Sequence, residues 1–254
     1  MLVKSERQLL TISHMPFPQK NILPLAQIFR AVCLIALLSA VSSQGREVRT
    51  IYMPGSGAAI ATAYLVNLET TVQIEFPQRN LSPEVKIPEG DLVMAVLAAP
   101  LDAGAKIPAE APLVSVPAAW ERCIFIFLGD PGNKVFPVRV IPVDSSAAYF
   151  PKGNTLIYNL SKTTLIAKFG EKLVTAEPGK SKMFGAPIPN FGAYPVFIDY
   201  IPEGKTERRT ICRSYWQHDP DARQIMFVIP QEQSETPRVW GTLDNSEDKP
   251  KKDK

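Results

Sequence analysis

The chain of 254 residues carries 28 basic and 25 acidic side chains, two histidines and three cysteines, and 45% of its residues are hydrophobic. That length supports one large core or two small ones. Its 24 prolines, close to twice the usual share and scattered without a P-x-x-P repeat, break helices too often for an α-rich fold.

The first legible element is the apolar run Ala31 to Ser43 (AVCLIALLSAVSS), preceded by Lys20 and Arg30 and followed by the polar Gln44, Gly45 and Arg46. It is too short to span a bilayer and has the proportions of the h-region of a secretory signal peptide. Residues 1–43 are therefore expected to be a signal peptide, cleaved after Ser43 with Val41 and Ser43 at the small-residue positions. Met15 offers a start of more usual leader length. A buried helix or a membrane anchor is the competing reading; a lipoprotein box is disfavoured because Cys33 lies at the front of the apolar run.

Removing that segment changes the electrostatics. Residues 1–43 hold Lys4, Arg7, Lys20 and Arg30 against Glu6, so the rest of the chain has equal numbers of basic and acidic side chains. With no net charge and no basic block, there is no electrostatic reason to expect a nucleic-acid partner. The exported compartment also frames the two remaining cysteines, Cys123 and Cys212, which either pair there or persist as two buried thiols.

From Glu47 onward, short runs of apolar and β-branched residues alternate with Pro, Gly, Asn and Asp. This is the pattern of strands and turns. Strands are predicted at Val48 to Met53, Thr62 to Leu68, Thr71 to Phe76, Glu84 to Ile87, Leu92 to Ala98, Leu113 to Val116 and Cys123 to Leu128. A second set of runs resembles the first. Val48 and Arg49 fall on Val138 and Arg139, Asn67 and Leu68 on Asn159 and Leu160, Thr70 and Thr71 on Thr163 and Thr164, and Phe76 on Phe169. EVKIPEGDLVM then falls on LVTAEPGKSKM, and ERCIFIFLG on ARQIMFVIP, with Arg122 on Arg223. The shared order at an almost constant offset predicts an internal duplication.

The expected fold is thus all-β: two tandem immunoglobulin-like antiparallel β-sandwich repeats over residues 46–133 and 134–231, with the break in Gly129 to Lys134. A single larger sandwich in which the repeats share a core is the alternative. Residues 232–254 offer little to bury beyond Val239, Trp240 and Leu243, and are expected to be a disordered polar tail. An arm that binds a partner through Trp240 is the second reading.

The segment FPKGNTLIYNLSKTTLIAKFGEKLVTAEPGKSK, Phe150 to Lys182, resembles a group of uncharacterised exported proteins of Verrucomicrobia and related bacteria. They share an F-P-x-G, N-L-S and x-P-G pattern. The resemblance implies an exported β-sandwich and supplies no catalytic residues.

Chemistry-bearing constellations are few. The tripeptide Gly179-Lys180-Ser181 ends like a phosphate-binding loop, but Val174 stands where that loop needs its first glycine. The following Gly185 and Pro187 cannot sustain its helix, so a turn is expected and no nucleotide. Beyond residue 43, His218 is the one histidine, so a copper centre built on two histidines is excluded; no metal and no cofactor are expected. WQHDPDAR is read as a hairpin loop bent at Pro220 rather than a zinc site of His218, Asp219 and Asp221. Asn67 and Asn159 are read as turn residues whose amides satisfy backbone groups.

What remains is a surface argument. The segment Arg208 to Arg223, read as a loop, gathers Arg213, Tyr215, Trp216 and His218, the mixture of aromatic rings and arginine found at binding hot spots. These four are the candidate ligand-binding residues, with Tyr215 and Trp216 alternatively capping the core. The sequence thus points to an exported non-enzymatic binding or structural module of the cell envelope, its partner an envelope protein or a glycan. An envelope hydrolase working around His218 and Asp219 is the alternative.

Overall fold

Beyond residue 45 β-branched and apolar residues recur at every second position over short spans, and the spans end at Pro, Gly or Asn, a pattern that forms strands. The computed structural model describes residues 45–53, 59–102, 104–231 and 233–246, and they are all-β. The expected signal peptide, residues 1–43, lies outside the described residues.

In the first half the strands are β1 (Arg46–Met53), β2 (Thr62–Val66), β3 (Thr71–Glu75), β4 (Val85–Ile87), β5 (Leu92–Leu97), β6 (Leu113–Val116), β7 (Arg122–Gly129) and β8 (Val138–Asp144). The second half has β9 (Thr155–Asn159), β10 (Thr164–Phe169), β11 (Lys172–Ala176), β12 (Ser181–Phe184), β13 (Gly192–Ile201), β14 (Arg209–His218), β15 (Arg223–Gln231) and β16 (Ser234–Asp244). All seven strands expected in the first half are present, to within two residues at each end.

The first half forms sheets β4-β1-β7-β8 and β3-β2-β5-β6, and the second forms β12-β9-β15-β16 and β11-β10-β13-β14. Adding eight to each strand number turns the first pair of orders into the second. In both halves the first strand runs parallel to the seventh: Val48 faces Cys123 across β1 and β7, and Ile225 faces Leu156 across β15 and β9. The sheets are therefore mixed rather than purely antiparallel. Parallel pairs belong where both sheet faces are covered, and these are.

Side-chain alternation shows how. Phe125 and Phe127 of β7 join Val48, Tyr52, Leu65 and Val96 in a core between the first half's two sheets. Their neighbours Ile124, Ile126 and Leu128 point the other way, into a second core with Ile51, Ile225 and Phe227. Met226 and Val228 of β15 point onward into a third core with Leu165, Val196 and Ile198. The sheets thus stack as outer, inner, inner, outer, and the two inner sheets bury both faces. That is why CIFIFL and IMFV read as unbroken apolar runs. The halves share a core, the arrangement that the sequence left as its second reading.

Several expectations need correcting. The boundary at residue 134 would cut β8 from β7, with which it pairs from Cys123↔Asp144 to Gly129↔Val138; the crossover between halves is the stretch 145–154. The superposed runs are also shifted by a strand. Asn67 follows β2 while Asn159 ends β9, and PEGD joins β4 to β5 while EPGK joins β11 to β12. Only the run ERCIFIFLG on ARQIMFVIP, with Arg122 on Arg223, falls on corresponding strands, β7 and β15. Short Val- and Thr-rich strands resemble one another whatever their place in the sheet, so composition aligned the wrong neighbours.

The expected polar tail is mostly strand. β16 pairs with β15 from Arg223↔Asp244 to Ile229↔Arg238, and residues 247–254 lie outside the described residues. Glu235 and Arg238 face solvent while Pro237, Thr242 and Asp244 are buried, so low overall hydrophobicity hid an edge strand. Gly179 has φ +69° in the turn where Lys180 N–H donates to Glu177 O at 3.1 Å, as a turn glycine should. Asn67 and Asn159 do satisfy backbone groups. The Asn67 side-chain oxygen accepts from Thr70 N–H at 2.7 Å, and the fully buried Asn159 amide donates to Thr163 O and Ala176 O at 2.7 and 2.8 Å.

Candidate functional site

The segment Arg208 to Arg223 is an edge strand and not a loop. β14 pairs with β13 through Tyr194↔Trp216, Pro195↔Tyr215 and Phe197↔Arg213. Strand alternation then divides the four candidate residues. Arg213 and Tyr215 face outward: the Arg213 guanidinium lies 5.4 Å from the Phe197 ring centroid and bonds Asp199 at 2.7 Å, and Tyr215 is 74% exposed. Trp216 turns inward, its ring centroid 5.9 Å from that of Phe169, and His218 is buried.

His218 ends β14 beside the Tyr194 ring, with the backbone of Gly153 close to its Cε1. Burial lowers its pKa, and the nearby Asp219 carboxylate only partly offsets this. The bend that follows is held by Asp219, whose carboxylate accepts from Asp221 N–H at 2.9 Å. WQHDPDAR bends as expected, but it carries the chain from an outer to an inner sheet and is an arch rather than a hairpin. No metal-competent cluster of His, Cys, Asp and Glu occurs among the described residues.

The cysteines do not meet. Cys123 lies in the first half's core, whereas Cys212 borders the core of the second half's outer sheet, with the shared core between them; both are free thiols. Burial pushes the Cys123 thiol up to about 12, against the pull of Arg46, so it stays protonated and inert.

Of the four candidates, Trp216 leads to a cleft. A cavity of ≈ 660 Å³ opens where the halves adjoin, within the ~300–1,000 Å³ range of small-molecule sites. Arg49, Asn80 and Leu81 line it from the first half; Trp216, Gln217, Gln224, Thr242 and Asn245 line it from the second, with Gly241 leaving the wall bare of a side chain. A Cβ at Gly241 would sit 3.6 Å from Gln224 Nε2 and 3.4 Å from Ile225 O, so the amide of Gln224 borders that bare patch. Gln224 is oriented by Thr155, whose hydroxyl donates to its Oε1 at 3.3 Å.

The wall is fixed by buried charge. Arg49 bonds Asp244 at 2.8 Å and donates its Nε–H to Ser82 O at 2.8 Å, tying β1 of the first half to β16 of the second. Asp244 is 1% exposed, and its other oxygen lies 3.8 Å from the buried Arg223. Burial alone would raise the Asp244 pKa, but hydrogen bonds from Ser246 and the charges of Arg49 and Arg122 reverse the balance, holding it below the usual carboxylate range. The single cationic side chain of the lining is therefore already neutralised.

A second cavity of ≈ 540 Å³ lies among the turns around Lys162, Gly179, Glu203 and Lys205. Lys205 there is paired with Glu235 at 3.0 Å. It is a hollow between three turns, whereas the Trp216 cleft has strand walls from both halves.

Of the residues at the cleft, the sequence reading singles out Trp216 and Gln217's neighbour His218 but not Arg49, Gln224, Gly241 or Asp244. Glutamines and a glycine on strands carry no motif, and Asp244 lay in the stretch read as a tail. No protein-family model and no curated protein matches the chain.

Proposed function

We propose that this protein is an exported, non-enzymatic binding module of the cell envelope, and that it holds its ligand in the Trp216 cleft. The observation carrying this reading is that the cleft is walled by both halves and locked by the Arg49–Asp244 ion pair across them. Geometry fixed by buried charge on strands suits a preorganised binding site. Export follows from the Ala31 to Ser43 leader and from the resemblance over Phe150 to Lys182 to exported proteins of Verrucomicrobia-type bacteria.

The two halves are read as products of an internal duplication, in the register that sets β1 on β9 and β8 on β16. The identical strand orders support it, as do Arg122 and Arg223 at the starts of the two central strands. Each half is read as a relative of the immunoglobulin-like sandwich, because β2 lies beside β5, and β10 beside β13, as strands B and E do there.

Fractionation of the expressing cell, with N-terminal sequencing of the recovered protein, tests the reading. The protein is expected outside the cytoplasm and to begin at Gln44. Recovery in the cytoplasm with residues 1–43 intact would overturn it.

A further inference from the structure

We infer that the ligand of the Trp216 cleft is a segment of a neutral oligosaccharide; this rests on the reading of the cleft as the binding site. The inference comes from the chemistry of the lining. Four of the residues lining the cleft, Asn80, Gln217, Gln224 and Asn245, carry carboxamides, with the hydroxyl-bearing Thr242 among the others. A carboxamide presents a donor and an acceptor side by side. Vicinal hydroxyls on a sugar ring offer the same alternation, and each hydroxyl both donates and accepts.

Trp216 supplies the complementary apolar surface. Backed by Phe169, it is a rigid aromatic wall for the C–H face of a pyranose ring, which is the apolar side of an otherwise polar ligand. Gly241 leaves room for a ring to approach the β16 backbone.

The electrostatics select against charged ligands. Arg49 is the one ionisable side chain of the lining, and its charge is met by Asp244 at 2.8 Å. An acidic ligand such as a uronate or a phosphate would have to compete with that buried carboxylate for Arg49. A basic ligand finds no free carboxylate in the lining. A neutral polyhydroxylated chain needs no counter-charge.

The test uses the chain from Gln44 to Lys254 and a panel of neutral hexasaccharides cut from glucan, mannan, xylan and chitin. Hexagalacturonate is the acidic comparison, and an unstructured Gly-Ser-Asn peptide the non-glycan one. Binding is followed by intrinsic tryptophan fluorescence and calorimetry. At least one neutral hexasaccharide is expected to bind and perturb the fluorescence, with hexagalacturonate at least 10-fold weaker.

Gln217→Ala and Asn80→Ala change exposed residues and leave the core intact. Each is expected to weaken binding about 10-fold, while Leu173→Ala, exposed on β11 at the opposite edge of the sheet that carries Gln217, changes nothing. If no neutral hexasaccharide binds, or if one binds equally well to both cleft variants, the inference is overturned. Preferential binding of the acidic sugar or the peptide, lost in Gln217→Ala, would overturn the ligand class while upholding the cleft as the site. Binding that ignores Gln217→Ala and Asn80→Ala would remove the cleft reading as well.

Discussion

The two halves have one strand order and two different outer surfaces. In the first, the outward residues Val66, Ala95 and Leu97 are buried, because Leu101, Ile107 and Ala111 of the long β5–β6 connection and Val135 close over them in a small extra core. In the second, the corresponding connection between β13 and β14 is only residues 202–208. The chain invests instead in two ten-residue strands, and the same face of the sheet is left with Phe197 and Leu173 in solvent. One topology thus yields a closed end and an open end, and connection length decides which. The cleft opens at the seam between the halves, with the β14 edge of the open outer sheet as one of its walls.

The largest effect should come from breaking the seam. Phe227 is fully buried in the shared core, with Trp240 stacked 5.5 Å away and Tyr158 at 6.3 Å. Phe227→Ala is expected to cost about 3–5 kcal/mol, read by denaturant unfolding. If the halves were independent sandwiches, the second would melt at lower denaturant while the first kept its transition. A shared core predicts one transition that moves as a whole, and two separated transitions would refute it.

Next in size is the ion pair across the seam. Asp244→Ala leaves Arg49 and Arg223 without their shared carboxylate and should cost about 3 kcal/mol or more. The pH dependence has a definite sign. Asp244 has a folded pKa below its unfolded one, so its contribution is complete above the usual carboxylate range and disappears as the pH falls through the depressed value. The difference in melting temperature between the wild type and Asp244→Asn should be widest near neutrality and shrink in acid. A gap that stays constant down to the acid limit would show that packing, and not charge, is responsible.

His218 adds a second acid-sensitive element at higher pH. Burial lowers its folded pKa, so protonation favours the unfolded chain, and stability falls as the pH drops from the ordinary histidine value through the lowered one. His218→Gln should flatten that slope in the mildly acidic range without altering the Asp244 step below it. Both groups belong to the second half, so acid should loosen that half's arch and seam first. Hydrogen exchange at mildly acidic pH would show the reverse order if the comparison is wrong.

These effects also mark what the sequence could and could not disclose. Alternation and punctuation were enough for the seven strands β1 to β7, because Pro, Gly, Asn or Ser punctuates the stretches between them and each carries β-formers. The alternation of CIFIFL was equally visible, yet a run apolar on both faces looks the same whether a second sheet or an entire second half covers it. The shared core was therefore only one of two readings. β16 escaped because its buried positions are filled by Pro237, Thr242 and Asp244, residues that count as polar or breaking by composition. Trp216 was legible as an aromatic beside an arginine; its partners were not, since Gln224 and Asn80 join it only through tertiary folding.

The smallest predicted effect separates the halves most cleanly. Had Cys123 and Cys212 been joined, replacing either would remove a cross-link between an inner sheet of the first half and the outer sheet of the second and cost about 2–5 kcal/mol. They occupy different cores with the seam between them, so Cys212→Ser, at a partly exposed edge-strand position, should change stability by no more than about 0.5–1 kcal/mol. Cys123→Ser places a hydroxyl at the edge of the first half's apolar core, with Arg46 as a polar neighbour, and should cost more, about 1–3 kcal/mol. Equal losses at the two sites, abolished by reductant, would restore the disulfide and require β7 and β14 to be closer than the four-layer stack allows. Unequal losses, insensitive to reductant, follow from a chain whose two ends are held together by the Arg49–Asp244 seam rather than by sulfur.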